Sequence, residues 1–94
     1  MVRELKAFRA LVEGMVQGVG FRYSAVHQAR RLGVKGYVQN LPDGGVEVVA
    51  EGEAQCLEQL KQWLKKGPPG AYVRTVAIRE RPYSGVYQDF GIEF

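Results

Sequence analysis

The sequence predicts an α+β fold: a βαββαβ sandwich with two helices on one face of an antiparallel sheet and a short extra C-terminal strand. Three observations carry this. Apolar residues alternate with a period of two in several short segments, the period switches to helical spacing in two others, and glycine- or proline-rich turns punctuate them. Ninety-four residues leave room for one hydrophobic core, so residues 1–94 are expected to form a single domain.

From Lys6 to Glu13, Phe8, Ala10 and Val12 fall on one face and Arg9, Leu11 and Glu13 on the other, which is the pattern of a strand. Gly14 to Gly20 is a glycine-containing turn. From Phe21 the period lengthens: Phe21, Ala25, Ala29 and Leu32 recur at helical spacing, and Gly33 provides a left-handed stop. Lys35 to Asn40 reads as a second strand. Leu41-Pro42-Asp43-Gly44-Gly45 then makes a turn, because proline presets φ, aspartate bonds locally and glycine accepts positive φ. Val46, Val48 and Ala50 alternate with Glu47, Val49 and Glu51, completing a hairpin.

A second helix is expected over Glu53–Lys66, with Leu57, Leu60 and Leu64 as its apolar stripe and Cys56 and Trp63 beside them. Glu51 and Glu53 lie near its start and Lys61, Lys65 and Lys66 near its end, as the helix dipole favours. Gly67-Pro68-Pro69-Gly70 ends it. Tyr72 to Arg81 reads as a strand with Val76 and Ile78 on one face, and Phe90 to Phe94 alternates once more after a loop over Pro82–Asp89. Right-handed crossovers put both helices on the same side of the sheet, which defines a ferredoxin-like sandwich. The other face is expected to stay partly open to water, with Arg9, Glu13, Lys35, Gln39, Glu47 and Glu51 pointing outward.

Composition narrows the function classes. A 46% hydrophobic and 24% charged chain is ordinary for a folded soluble domain. No stretch approaches the roughly 18 apolar residues of a membrane span, and the N-terminus lacks the apolar run of a secretory signal, so a cytoplasmic protein is expected. Cys56 is the only cysteine and His27 the only histidine, which excludes an internal disulfide and a multi-cysteine or His-rich metal centre. Neither a metal nor a cofactor is expected. Net charge is +3, with the excess in the first third of the chain: Arg3, Lys6, Arg9, Arg22, Arg30, Arg31 and Lys35 face only Glu4 and Glu13 there. An anionic partner, either nucleic acid or a small phosphorylated compound, would match that distribution, but composition alone favours a solvated surface.

The segment with chemical content is Gly14-Met15-Val16-Gln17-Gly18-Val19-Gly20-Phe21-Arg22. Glycines let backbone amides approach a bound group, and the turn runs directly into a helix N-terminus, whose unpaired N–H groups and positive dipole end attract anions. Arg22 adds a planar fork suited to two phosphate oxygens. A cation in the first turn opposes the dipole, a cost offset if an anion lies between them. The motif is not a Walker A loop, since Phe21-Arg22 stands where Lys-Ser/Thr is needed, and it lacks the dinucleotide-binding spacing. On residue chemistry alone, a purely geometric βα turn and an anion site are equally open. Asn40 ends a strand before a turn, where an asparagine more commonly makes a local bond to its own backbone; its functional role would be to hold a water by its amide, and periodicity does not choose between them.

Other reactive residues have simpler readings. Ser24 and His27 share a helix but lack a third orienting group, so they are expected to be helix-surface residues. Cys56 and Trp63 belong to the apolar stripe.

Gly14 to Arg22 resembles the first signature of the acylphosphatase family, Gly-x-Val-Gln-Gly-Val-x-Phe-Arg. Gly36-Tyr37-Val38-Gln39-Asn40, followed by Gly44, Val46 and Gly52, resembles the second. Element order and length are similar too, so the likeness spans essentially the whole chain. It implies hydrolysis of the carboxyl–phosphate bond of acyl phosphates to carboxylate and inorganic phosphate, by direct water attack, without metal or phosphoenzyme. It implies that Arg22, with the backbone of Met15, Val16, Gln17, Gly18, Val19, Gly20 and Phe21, holds the phosphoryl group, and that Asn40 orients the water. The implied partners are the small-molecule acyl phosphate and inorganic phosphate, with no nucleic-acid or membrane partner, for an enzyme expected to be a monomer.

The alternative is a basic ferredoxin-like module that binds RNA or a small ligand without catalysis. Lys35-Gly36-Tyr37 begins like an RNA-recognition strand, but Val38-Gln39-Asn40 follows where Gly/Ala-Phe-Val and a further aromatic are needed.

Overall fold

A computed structural model describes residues 3–94, and the elements follow the expected order. They are β1 (Leu5–Met15), α1 (Phe21–Arg31), β2 (Lys35–Asn40), β3 (Val46–Glu53), α2 (Ala54–Lys66), β4 (Tyr72–Arg81) and β5 (Phe90–Glu93). The strands lie in one sheet in the order β4-β1-β3-β2-β5. The alternation that predicts β1 is the alternation that buries it: Phe8, Ala10 and Val12 are inaccessible, as are Val46, Val48 and Ala50 opposite them on β3. Phe21, Ala25 and Ala29 of α1 and Leu57, Leu60 and Leu64 of α2 close over that face. Each large apolar side chain so buried contributes about 1.5–3 kcal/mol. The Phe21 and Trp63 rings, 5.3 Å apart and tilted, join the two helices.

The sheet departs from the expected antiparallel arrangement at one edge. The four strands of the βαββ-αβ core are antiparallel, but β5 runs parallel to β2, pairing Gly36 with Phe90 and Gln39 with Glu93, so the sheet is mixed. The cause is topological. β4 occupies one edge, and the chain from 82 to 89 crosses to the other edge, where it enters alongside β2 in the same direction. Arg30 fixes the arrival: its Nη2 donates to Asp89 Oδ2 at 3.1 Å and its Nε to the Phe90 carbonyl at 3.1 Å.

That crossing covers part of the face expected to stay partly open: Arg9, Glu13, Lys35 and Gln39 remain accessible there, but two of the outward residues do not. Glu47 and Glu51 do alternate toward it, yet both are buried. Glu51 accepts from the Ser84 and Gly85 amides and the Ser84 hydroxyl at 2.8–3.0 Å, strapping the 82–89 segment across the sheet. Glu47 accepts from Arg9 Nε at 2.6 Å, and the Tyr37 and Tyr87 rings meet at 6.1 Å. The loop's own residues are polar and aromatic without periodicity, so nothing in their spacing signals this cover. Two boundaries move as well. Helix α2 starts at Ala54, with Glu53 extended at its N-cap as the last residue of β3, and Gly14 and Met15 belong to β1 rather than to the following loop.

Candidate active site

The end of β1 is built to launch a loop. Between Glu13 and Gly14 the register with β4 shifts, so that Glu13 faces Thr75 but Gly14 faces Val73. Gly14 has φ +136°, and a Cβ there would lie 2.1 Å from the Tyr72 carbonyl oxygen; only glycine fits the close approach. Met15 ends the strand opposite Tyr72, with its side chain exposed.

The loop then turns its side chains inward. Val16 and Phe21 are buried in the core and Val19 packs against it, so the outward surface between them is mostly backbone. Gly18 and Gly20 take left-handed conformations, φ +76° and +78°, and both are exposed. Gly20 is the N-cap of α1 and provides no side-chain cap, and no acidic residue occupies the first turn. The first backbone bond of the helix is Ser24 N to Gly20 O at 3.0 Å, which leaves the amides of Phe21, Arg22 and Tyr23 ahead of the intrahelical ladder. An uncapped helix start with a cation beside it is an arrangement that favours an anion.

Arg22 is half-buried in that first turn. Among the described residues it takes part in no ion pair and no side-chain hydrogen bond, whereas Arg3, Arg9, Arg30 and Arg74 all have carboxylate partners. Its guanidinium lies over the ring of Phe94, whose centre is 5.5 Å from the guanidinium carbon.

Asn40 ends β2 opposite Val46. Its Oδ1 is buried and receives no hydrogen bond from the described residues, which excludes the local turn bond as the role of that oxygen. The turn is closed instead by Asp43, whose Oδ1 accepts from the Gly45 amide at 2.9 Å, and by the bond from Leu41 N to Gly45 O at 2.8 Å. Loop and hairpin are joined by Gln17. Its Nε2 donates to the carbonyls of Leu41 and Gly45, each at 2.8 Å.

Of the residues singled out from sequence, the loop, Arg22 and the β2 terminus with Asn40 thus share one end of the molecule. Ser24 and His27 instead line an open groove between α1 and the end of α2, with Trp63 and Lys66. Cys56 is half-buried against the core. Two features escape the sequence. The Gln17 side chain is engaged where only its backbone drew notice; a lone amide among apolar and glycine residues is the signal for it. Phe94 reaches Arg22 only through the parallel placement of β5, for which periodicity gives no signal.

A small α+β sandwich with a glycine-rich loop feeding an uncapped, arginine-bearing helix start defines a class of phosphate-handling protein. Comparison with known proteins gives the family. Residues 8–92 match the acylphosphatase family model. The chain is 49% identical over 90 residues to an acylphosphatase of Rubrobacter xylanophilus, covering 96% of this chain and 82% of that one. The structure of an acylphosphatase from Coxiella burnetii superposes with a TM-score of 0.90 at 39% identity, covering 95% of this chain and 93% of that one. The Bacillus subtilis acylphosphatase gives 0.91 at 34% identity, over 97% and 100%. The chain belongs to the acylphosphatase family. It is an enzyme, a hydrolase of acyl phosphates, and the alternative of a non-catalytic RNA-binding module is not favoured.

Proposed function

We propose that the acyl phosphate binds with its phosphoryl group in the cradle of the Met15–Phe21 backbone and the Arg22 guanidinium, and that Asn40 holds the attacking water. The observation that carries this reading is the buried Asn40 Oδ1 with no donor from the described residues. A buried acceptor left unsatisfied costs about 1–3 kcal/mol. A water that donates one hydrogen to it recovers that cost and leaves its lone pair free for phosphorus.

The water oxygen forms a bond to phosphorus while the bond from phosphorus to the acyl oxygen breaks, and the carboxylate departs with the electron pair. Carboxylate is a good leaving group, so no general acid is needed. The water's proton passes to a phosphoryl oxygen, giving inorganic phosphate. Such transfer needs positioning and charge stabilisation above all, which amides and one guanidinium provide. No phosphoenzyme and no metal enters the scheme. The remaining assignments are a single domain over 1–94, a monomer acting in the cytoplasm, and no nucleic-acid partner. The first rests on the single buried core; among the described residues no helix is long and apolar enough to cross a membrane.

The test is hydrolysis of benzoyl phosphate by the purified chain in EDTA, beside Asn40→Ala. Turnover in EDTA is expected, with Asn40→Ala lowering kcat while the inhibition constant of inorganic phosphate is retained. A large loss of phosphate affinity would reassign Asn40 from the water to the anion. A sharp fall in rate below pH 6 through a single enzymic ionisation would replace the phosphoryl oxygen with a protein base.

A further inference from the structure

We propose that the side chain of Gln17 is a positioning residue that sets the distance between the phosphate-binding loop and the water-holding Asn40; this rests on the roles proposed above. The two halves of the site come from segments far apart in sequence, the loop after β1 and the hairpin after β2. Nothing covalent nearby holds them in register. Gln17 Nε2 has two hydrogens, and each is used: one on the Leu41 carbonyl and one on the Gly45 carbonyl, both at 2.8 Å. Leu41 is the residue that follows Asn40, and Gly45 precedes Val46, which faces Asn40 across the ladder. The amide therefore bridges the two chain strands of the hairpin at the level of Asn40, from the middle of the loop that would hold the phosphoryl group.

The same contacts show why this is not simply a folding device. Both carbonyls already have a backbone donor: Gly44 N reaches Leu41 O at 3.1 Å and Leu41 N reaches Gly45 O at 2.8 Å. Removing the glutamine amide therefore strands no buried acceptor, and the hairpin stays closed without it. What is lost is the constraint between loop and hairpin. In-line attack requires the water to stand about 3–3.5 Å from phosphorus along one direction, so slackness of a fraction of an ångström between the two segments lowers turnover. Phosphate binding uses the loop and Arg22 alone and should be largely insensitive to it.

The experiment is a double-mutant cycle of Gln17→Met with Asn40→Ala, read as kcat on benzoyl phosphate, inhibition by inorganic phosphate, and thermal midpoint. Gln17→Met is expected to lower kcat roughly tenfold, with the phosphate inhibition constant changed less than about threefold. In the Asn40→Ala background the same substitution should change kcat by less than about twofold, because no held water remains to misplace. An equal loss of kcat in both backgrounds, or a phosphate inhibition constant rising in step with the loss of kcat, overturns the proposal while leaving Asn40 in its role. A wild-type kcat for Asn40→Ala alone overturns the reading of Asn40 itself. If Gln17→Met does not fold, the cycle is run with Gln17→Leu, which is close in size, uncharged and lacks both donors; the same pattern is expected.

Discussion

The guanidinium of Arg22 lies over the ring of Phe94, 5.5 Å from carbon to ring centre. The contact follows from the parallel pairing of β5 with β2. Glu93 is registered opposite Gln39, so Phe94 comes directly after it, at the end of the strand that carries Asn40. Arg30, through Asp89 and the Phe90 carbonyl, anchors the start of β5 on the helix that bears Arg22. The ring is 95% exposed, so the contact lies at the surface and leaves Arg22 open to solvent on its other side.

Replacing that ring should have a small, measurable effect. A cation over an exposed aromatic is worth about 0.5–1 kcal/mol, which corresponds to roughly two- to fivefold in rate. Phe94→Ala is expected to lower kcat/KM on benzoyl phosphate by about that factor, and Phe94→Trp to restore it. Identical kinetics for the alanine and tryptophan variants would show that the ring does not order Arg22.

Arg22→Lys keeps the charge and loses the fork. An ammonium is a point donor and cannot span two phosphoryl oxygens, so charge alone should not rescue the site. Losing a donor of this kind typically costs about 10²–10³ in rate, and Arg22→Lys should fall in or beyond that range with a native thermal midpoint. Turnover near wild type would remove the bidentate contact from the mechanism.

The core and the loop were legible in the sequence for the same reason. Phe8, Ala10 and Val12 alternate because β1 has a single buried face, and Gly14, Gly18 and Gly20 are glycines because a side chain would collide with Tyr72 at the first or strain the left-handed backbone at the other two. Such local demands leave a local trace. Glu51 and Phe94 left none, since the burial of one and the position of the other depend on a segment more than thirty residues away or on the direction of a single edge strand. Glu47 and Glu51 alternate outward as solvated residues would, and the 82–89 crossing that binds Glu51 is not signalled by that alternation.

Glu51 makes that crossing sensitive to acid. Burial pushes its pKa up, but the Ser84 hydroxyl, the Gly85 and Ser84 amides and the charge of Arg81 outweigh burial and bring it below the ordinary value of 4.5. A carboxyl whose folded pKa is depressed contributes stability that is present above its unfolded value and lost as pH falls through the folded one. Glu51→Gln should therefore destabilise the protein by about 1–3 kcal/mol at pH 7, and the gap from wild type should narrow as pH drops below 4.5. Thermal midpoints of the two chains between pH 7 and pH 3 check this; a gap independent of pH would show that the charge on Glu51 contributes nothing to the strap.

Gly14 tests whether the loop's launch point tolerates any side chain. A Cβ at this position meets backbone on two sides, the Tyr72 carbonyl oxygen at 2.1 Å and the Arg74 nitrogen at 2.8 Å, and φ is +136°. Backbone atoms inside a paired ladder cannot move aside as a flexible side chain would, so the register between β1 and β4 must shift. Gly70 provides the control, because its φ of +92° is also unfavourable for alanine but nothing lies within 4 Å of the added carbon. Gly70→Ala should cost only the conformational term, about 1–2 kcal/mol. Gly14→Ala should cost more than that, and at about 4–8 °C per kcal/mol in a domain of this size the two thermal midpoints should differ by roughly 10 °C or more. Gly14→Ala should also weaken phosphate inhibition, since the backbone of Met15 and Val16 is displaced with the register, whereas Gly70→Ala should leave it unchanged. Equal midpoints for the two variants would mean that the bulge between Glu13 and Gly14 yields freely, and that the loop is not held in place by the strand that precedes it.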